Sequence, residues 1–259
     1  IRYAVRTKWL ATDSFSYLTQ LLRFAECGFR CDVAAFSEKE RRCAVMLYYD
    51  LFDKAGFYPN LESMFSDLAS DHLFIQEFKE VISYLREKCS APEKEDNSVY
   101  REWNPLHLHG VYTKAQIQAA LGLSTIERKS SSREGFERLK DIKLEAMYVD
   151  IIKQREEGSM TAYKDYAQNR EFFHWETQNH VREGSREAEA YRNGENNMLL
   201  FVRQQVEHPE YGCRMGFTYL GQVTMKSIEG SKPMQIVWHL NTPMPEATYA
   251  FASQYKAIG

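Results

Sequence analysis

The sequence predicts an α+β protein in which an N-terminal helical bundle is followed by a compact, curled β-sheet or barrel. Apolar residues recur with a period of about 3.6 through the first ninety residues, which is the spacing of an amphipathic helix. Beyond residue 135 the pattern changes to alternation with a period of two, rich in β-branched and aromatic residues, which is typical of strands. We therefore expect a helical domain over residues 1–104, a short helix and polar hinge over 105–135, and a β domain over 136–259.

Capping residues mark the helix starts in the first half. Ser37 with Glu40, and Thr113 with Gln116, match the capping-box pattern. The predicted helices run from Ser14 to Cys27, from Arg41 to Phe52, from Asn60 onward, from Asp71 through Leu85, and from Thr113 to Gly122. The last of these fits either the start of a helix-turn-helix module or a plain connecting helix. Residues 90–104 are polar and aperiodic, so they predict a linker or surface loop.

Five strands are predicted in the second half, and several short strands in succession are typical of a barrel or curled sheet. They are Leu144–Ile152, Phe172–Glu176, Met198–Val206, Phe217–Ile228 and Gln235–Leu240, with a turn at Glu229–Ser231.

Charge and cysteine content limit the class of protein. The formal net charge of -3 argues against a broad basic surface for nucleic acid, so any DNA contact must come from local clustering, a pocket or another domain.

Five cysteines at scattered positions, without a CxxC pair, predict free thiols in a reducing cytoplasm. No apolar run approaches the ~18 residues that span a bilayer, so we expect no membrane partner. A start without methionine suggests a fragment.

The segment from Phe172 to Asn179 is the strongest candidate for a binding site. It combines three aromatic rings, a histidine, a carboxylate and two carboxamides. In a strand, Phe173 and Trp175 would share one face, and His174 would lie on the other. The pattern fits a ligand pocket, and it also fits a core in which His174 is a hydrogen-bonded edge residue.

Residues around this segment could complete a site for a planar, polar-edged ligand such as a nucleobase. Rings can sandwich such a ligand, and carboxamides can bind its edge. The candidate base-binding residues are Tyr163, Asp165, Tyr166, His174, Trp175, Gln178 and Asn179. Arg203 and Lys232 are candidate phosphate contacts, although both types of residue are commonly solvated.

The sequence indicates no catalytic residue and no cofactor. Asp150 or Asp165 followed by Glu176 loosely resembles the separated carboxylates of metal-dependent nucleases, but Gln178 stands where those enzymes carry a lysine. His107 and His109 lack a nearby third metal ligand. Phosphate-binding loops, nucleophile elbows and zinc-protease motifs are absent from the sequence.

Five blocks of sequence together resemble a known family. They are YKDYA (163–167), FFHWETQN (172–179), LLFVR (199–203), FTYLGQV (217–223) and GSKPMQIVWHL (230–240), followed by Pro243, Met244 and Pro245. Over residues 137–245 their order and spacing resemble domain of unknown function 3427, the C-terminal region of bacterial superfamily II DEAD/DEAH-box helicases and of type IV, modification-dependent restriction enzymes. One departure is Glu176–Thr177, where the family more often has Gln-Ser or Glu-Ser. A glutamate there is an acceptor only, so the preferred ligand edge could differ.

The resemblance implies a non-catalytic reader whose β half is similar to SRA or PUA-like barrels and whose helical half couples it to a motor. It implies duplex DNA, possibly methylated, and the helicase and nuclease domains of the same polypeptide as partners. Trp175 or Tyr166 would then stack on a flipped base such as 5-methylcytosine. Two alternatives stay open: a scaffold that docks the helicase core, and a metal-dependent nuclease.

Overall fold

The computed structural model describes residues 1–132, 135–154, 164–210, 212–254 and 257–258. These residues divide into two compact units. The helical unit comprises residues 1–132 and 208–216, and the sheet unit comprises the described residues from 135 to 207 and from 217 to 258.

The helical unit contains the helices that the apolar periodicity predicts. Its elements are α1 (Arg2–Thr7), α2 (Phe15–Glu26), α3 (Glu38–Phe52), α4 (Leu61–Ser70), α5 (His72–Glu87), β1 (Val111–Tyr112) and α6 (Lys114–Ala120). Both predicted capping boxes are present, since Ser37 and Thr113 each accept a hydrogen bond from the backbone three residues later and receive the reciprocal bond. α3 therefore begins at Glu38, three residues before the predicted start.

A buried carboxylate joins three helices and the segment after α1. Asp50 of α3 accepts hydrogen bonds from Trp9 Nε1 at 2.7 Å, from the Tyr17 hydroxyl at 2.7 Å and from Gln116 Nε2 at 3.0 Å. Burial raises the pKa of Asp50 to about 6, although these three hydrogen bonds favour the ionised form.

Residues 90–104 pack more closely than the predicted linker or surface loop. Asp96, Ser98 and Asn104 are buried. Asp96 Oδ2 accepts hydrogen bonds from Ser98 Oγ at 2.7 Å and from Asn104 Nδ2 at 2.8 Å. These three polar side chains bond inside the unit, whereas Pro92, Lys94 and Glu95 are exposed, so the rest of the segment fits the predicted surface loop.

The sheet unit contains the five predicted strands and four further short ones. The strands are β2 (Phe136–Leu139), β3 (Leu144–Asp150), β4 (Lys153–Gln154), β5 (Tyr166–Ala167), β6 (Phe172–Glu176), β7 (Asn197–Arg203), β8 (Phe217–Gly230), β9 (Met234–Leu240) and β10 (Ala257–Ile258). Seven of them follow the order β2-β3-β7-β8-β9-β6-β5. β3 and β7 are parallel, and the other neighbours along this order are antiparallel. β4 and β10 form a separate parallel pair.

Two register shifts curl this mixed sheet into a half-barrel. One lies where Leu200 pairs with Gly221 while Phe201 pairs with Tyr219, and the other lies between Met225 and Ser227 of β8. Gly221 has a φ of 85°, a backbone conformation that glycine adopts without strain. Extra residues in one strand increase local twist and bend it, so β8 carries the curvature.

Two short helices cover the core face of the sheet. They are α7 (Arg186–Arg192), which is capped by Ser185, and α8 (Glu246–Ala252). Tyr191 of α7 and Tyr249 of α8 pack against the apolar core. The sequence did not predict either helix, because seven residues are too few to establish a helical period.

The predicted α+β class, with helices followed by a curled sheet, is confirmed. Across the described ranges, no helix is both long and apolar enough to cross a membrane.

Candidate ligand-binding site

β6 places adjacent side chains of the aromatic motif on opposite faces of the sheet, as the strand period predicts. Phe173 and Trp175 belong to the apolar core of the sheet unit. His174 pairs across the strands with Tyr166 of β5 and lies on the other face. The core-facing rings of the motif are therefore part of the protein's own packing.

On the outer face, the predicted base-binding residues bond to one another. The Tyr166 and His174 rings stack with centroids 4.8 Å apart and an interplanar angle of 19°. His174 Nδ1 lies 2.7 Å from the Lys164 carbonyl oxygen, and Asp165 Oδ1 accepts a hydrogen bond from Glu176 N at 2.9 Å. A flat ligand could therefore stack on Tyr166 only on the side opposite His174. Tyr163 lies outside the described residues.

Gln178, Asn179 and Lys232 are exposed at one end of the sheet. Gln178 and Asn179 lie in the loop after β6, and Lys232 lies in the turn between β8 and β9. Lys232 N donates a hydrogen bond to the Val181 carbonyl at 3.0 Å, so the loop and the turn are neighbours. The backbone of this loop and that of the turn are thus joined, and Val181 N in turn donates to the Gln178 carbonyl at 3.0 Å.

Arg203, at the end of β7, is held by a carboxylate and a ring. Its Nε donates to Asp150 Oδ1 at 2.5 Å, and its Nη2 donates to Asp150 Oδ2 at 3.2 Å. Its guanidinium carbon lies 4.2 Å from the centroid of the Phe217 ring. A phosphate would have to compete with Asp150 for this guanidinium.

A pocket of about 300 Å³ opens between α7 and strands β3, β7, β8 and β9. This volume is at the lower end of the range of small-molecule sites, ~300–1,000 Å³. Glu145, Tyr191 and Trp238 are among the residues that line it. Four carboxamides add polar groups: Asn193, Asn196, Asn197 and Gln222. The loop that contains Gln178 and Asn179 leads directly into α7, which closes one side of this pocket.

Glu145 is fully buried on β3, and its two oxygens differ in their surroundings. Oε1 forms an ion pair with Arg138 Nε and accepts a hydrogen bond from Asn196 Nδ2 at 2.7 Å. Oε2 is buried and has no hydrogen-bond partner among the described residues. Burial raises the pKa of Glu145, and the nearby guanidinium of Arg138 opposes this rise. Glu145 therefore presents one acceptor atom that the described fold leaves unused.

Trp238 likewise has a buried polar atom without a hydrogen-bond partner among the described residues, in this case a donor. It is 2% exposed, and within the described part of the chain its Nε1 meets no acceptor. Tyr191 packs edge-on against its ring at 6.2 Å, and Trp175 lies 6.3 Å away. Trp175 does not line the pocket and instead supports the Trp238 ring from the core.

An acceptor and a donor that lack partners are expensive to bury, at ~1–3 kcal/mol each. Both atoms are shielded from solvent, so neither borders the open space of the pocket. The residues that line the pocket supply aromatic rings and carboxamides, which are suited to a small flat ligand with a polar edge.

Sequence reasoning missed the residues of this pocket. The alternating pattern places Glu145 in a strand, although a carboxylate flanked by apolar residues at 144 and 146–149 is an unusual core residue. Trp238 lies in the family block at 230–240, and its sequence neighbours give no sign of a pocket. The run from Asn193 to Asn197 has three asparagines in five residues, which was the available signal for a polar rim.

In the ranges that the structure describes, no group of three or more His, Cys, Asp or Glu side chains is arranged to hold a metal ion. All five cysteines are free thiols, and Cys43 is buried.

A family model described as "Domain of unknown function (DUF3427)" matches residues 106–252, which is more than half of the chain. The match extends beyond residues 137–245, over which the sequence blocks resemble the family, and it includes α6 and α8. A comparison with curated proteins finds no match.

Proposed function

The chain belongs to the DUF3427 family, and on that premise we propose that its sheet unit is a DNA reader that holds a single base in the pocket beside α7. The base, flipped out of a duplex, would be a modified base such as 5-methylcytosine. In this proposal the chain binds and does not catalyse, and the helicase and nuclease domains of a longer polypeptide act on the DNA.

The observation that carries the proposal is the pocket beside α7, whose lining combines two aromatic residues with four carboxamide residues. Its volume of about 300 Å³ is large enough for one planar ring system. Its rings and carboxamides are the groups that proteins use to hold a flipped base. The carboxylate of Glu145 disfavours a phosphate inside the pocket, so the phosphates would stay outside.

Cationic side chains are available for those phosphates. Lys226 follows Met225, which lines the pocket, and both Lys226 and Lys232 are exposed. Arg182 is exposed next to Val181, whose carbonyl accepts from Lys232 N. Phosphate contacts position a protein on DNA, whereas base contacts specify the sequence. A few local cations are compatible with the net charge of -3 if the motor supplies further backbone affinity.

The proposal is tested by closing the pocket. Thr224 is an exposed residue of β8 that lines the pocket, and Ser227 is an exposed residue of the same strand that does not. We expect Thr224→Trp to weaken binding of labelled 5-methylcytosine duplexes at least tenfold in anisotropy titrations, while Ser227→Trp binds like the wild type. Thermal unfolding would establish that both variants fold. Absence of DNA binding by the wild-type chain, or equal losses in the two variants, would refute the proposal.

A scaffold function is the second candidate, because the helical unit exposes large apolar side chains. Phe57 is 51% exposed and stacks on Phe52 at 4.7 Å, and Leu73 is 66% exposed. If the chain binds the helicase core of its own polypeptide, Phe57→Ser should weaken that complex without affecting DNA binding. A metal-dependent nuclease would instead be detected by plasmid cleavage in Mg²⁺ or Mn²⁺, and we expect none.

A further inference from the structure

We propose that Cys27 and Cys31 form a reversible oxidation site, in which hydrogen peroxide converts the two thiols into one internal disulfide bond. Both cysteines belong to the helical unit, so this site is separate from the pocket beside α7. DNA binding by the sheet unit does not depend on the cysteine pair, and the two proposals can fail separately.

The chain turns sharply between the two cysteines. Cys27 is the C-cap residue of α2. Gly28 and Phe29 follow with positive φ values of 63° and 58°, in the left-handed region where helices commonly end. The Arg30 amide then donates a hydrogen bond to the Cys27 carbonyl at 3.1 Å, which closes a turn. The turn brings Cys31, the next residue, back towards Cys27.

The two thiol groups are in contact, and their hydrogen bonds assign the protons. The Cys27 thiol donates to the Phe24 carbonyl oxygen, with a sulfur–oxygen distance of 3.2 Å. A thiol has one proton, so in the hydrogen bond between the two thiols Cys31 is the donor and Cys27 Sγ is the acceptor. The two sulfur atoms that a disulfide would join are therefore already neighbours.

Exposure and acidity give the two cysteines different roles. Cys27 is an exposed residue, so an oxidant in solution reaches it. Cys31 is half-buried, and its burial, together with the neighbouring Cys27 thiol, raises the pKa of Cys31 to about 12. Cys31 therefore stays protonated at neutral pH, whereas the thiolate is the reactive form of a cysteine. Cys27 reacts with the peroxide first, and Cys31 then completes the disulfide.

The reaction balances with hydrogen peroxide as the oxidant. The Cys27 thiolate attacks one peroxide oxygen, the O–O bond breaks, and the departing hydroxide takes up the proton that the thiol lost, which leaves Cys27 as a sulfenic acid. The Cys31 sulfur then attacks the Cys27 sulfur, so that an S–S bond forms and the S–O bond breaks. The Cys31 proton leaves with the departing hydroxyl group. Two thiols and one peroxide give one disulfide and two waters, and an added thiol reverses the change by exchange.

Peptide mapping tests the site, because trypsin cleaves between the two cysteines. Cleavage after Arg30 separates the peptides Phe24–Arg30 and Cys31–Lys39, which a disulfide would hold together. The full chain is treated with hydrogen peroxide, the remaining thiols are blocked with N-ethylmaleimide, and the digests are compared by mass spectrometry before and after reduction. We expect the linked peptide pair, the loss of two of the five free thiols, and recovery of both on reduction.

Single variants test the two roles. Cys31→Ser should leave Cys27 as a sulfenic acid that dimedone labels, whereas the wild type should give little dimedone adduct. Cys27→Ser should leave Cys31 unoxidised at the same peroxide dose. Cys89→Ser is the matched control, because Cys89 is also half-buried and burial raises its pKa to about 12. This variant should form the linked pair as the wild type does.

The wild-type map requires no variant, so it decides the proposal even if a variant fails to fold. Disulfides that join Cys27 to another cysteine or to a second chain would overturn the proposal. Conversion of Cys27 to sulfinic acid without the linked pair would also overturn it. If Cys31 is oxidised as readily in Cys27→Ser as Cys27 is in the wild type, the assignment of roles is wrong.

Discussion

Asp50→Asn should change how the stability of the helical unit depends on pH. Asp50 is fully buried and accepts hydrogen bonds from Trp9, Tyr17 and Gln116. Burial is the largest influence on its carboxyl group and raises its pKa to about 6. An asparagine has nearly the same shape but cannot ionise, so comparison of the two proteins isolates the titration.

The sign of the effect follows from proton binding. An unfolded aspartate has a pKa of ~3.9, so between pH ~4 and ~6 the folded protein binds more protons at this site than the unfolded chain. The contribution of Asp50 to the free energy of unfolding therefore falls as the pH rises through this window. Above pH ~6 the contribution no longer changes with pH. The pKa values of Asp50 in the folded and unfolded states differ by about two units, which corresponds to ~3 kcal/mol of unfolding free energy.

Urea denaturation from pH 4 to pH 7, followed by tryptophan fluorescence, measures the free energy of unfolding of both proteins. We expect the wild type to lose ~3 kcal/mol relative to Asp50→Asn across this range. Asp53→Asn is a control of opposite sign: burial alone would raise the pKa of Asp53, but Lys8 and Lys129 lower it overall. For this control the urea series is extended down to pH 3, because a carboxylate with a lowered pKa loses its contribution only below the unfolded pKa of ~3.9, and Asp53 should contribute more stability at pH 7 than at pH 3. A difference between wild type and Asp50→Asn that does not vary with pH would refute the reasoning.

Two further predictions concern the sheet unit. If Arg203 leaves Asp150 to contact a phosphate, Arg203→Ala should reduce the slope of log affinity against log salt concentration by about one, and an unchanged slope would identify a structural ion pair. Trp175→Ala should lower the free energy of unfolding by ~3–5 kcal/mol in urea denaturation, because the indole packs in the core. Weaker DNA binding by Trp175→Ala without loss of stability would show instead that the indole contacts the base.

The sequence determined the elements of both units where local patterns are strong. The apolar period and the capping residues located α2 to α6, and alternation located β3, β6, β7, β8 and β9 to within a few residues. These signals depend on neighbours only a few positions apart. Short elements such as α7, with seven residues, give no such signal.

The candidate site was only partly accessible from the sequence. Alternation along β6 correctly predicted that Trp175 and His174 lie on opposite faces of the sheet. It could not show which of the two faces packs against the protein's own core. The described fold buries Trp175 in the core and stacks His174 on Tyr166. The family blocks identified DUF3427, and the family match confirms this resemblance.

By itself, the sequence determined the α+β class and most helix and strand positions, because each depends on residues that are close along the chain. It also determined the family, through the order and spacing of five sequence blocks. Only the tertiary structure decided where the pocket lies. Glu145, Tyr191 and Trp238 are more than forty residues apart in sequence, and they meet because the strand order β3-β7-β8-β9 and the packing of α7 bring them to one cavity. The unused hydrogen-bonding atoms of Glu145 and Trp238 are likewise a property of three-dimensional packing, since burial removes water and the described neighbours do not replace it.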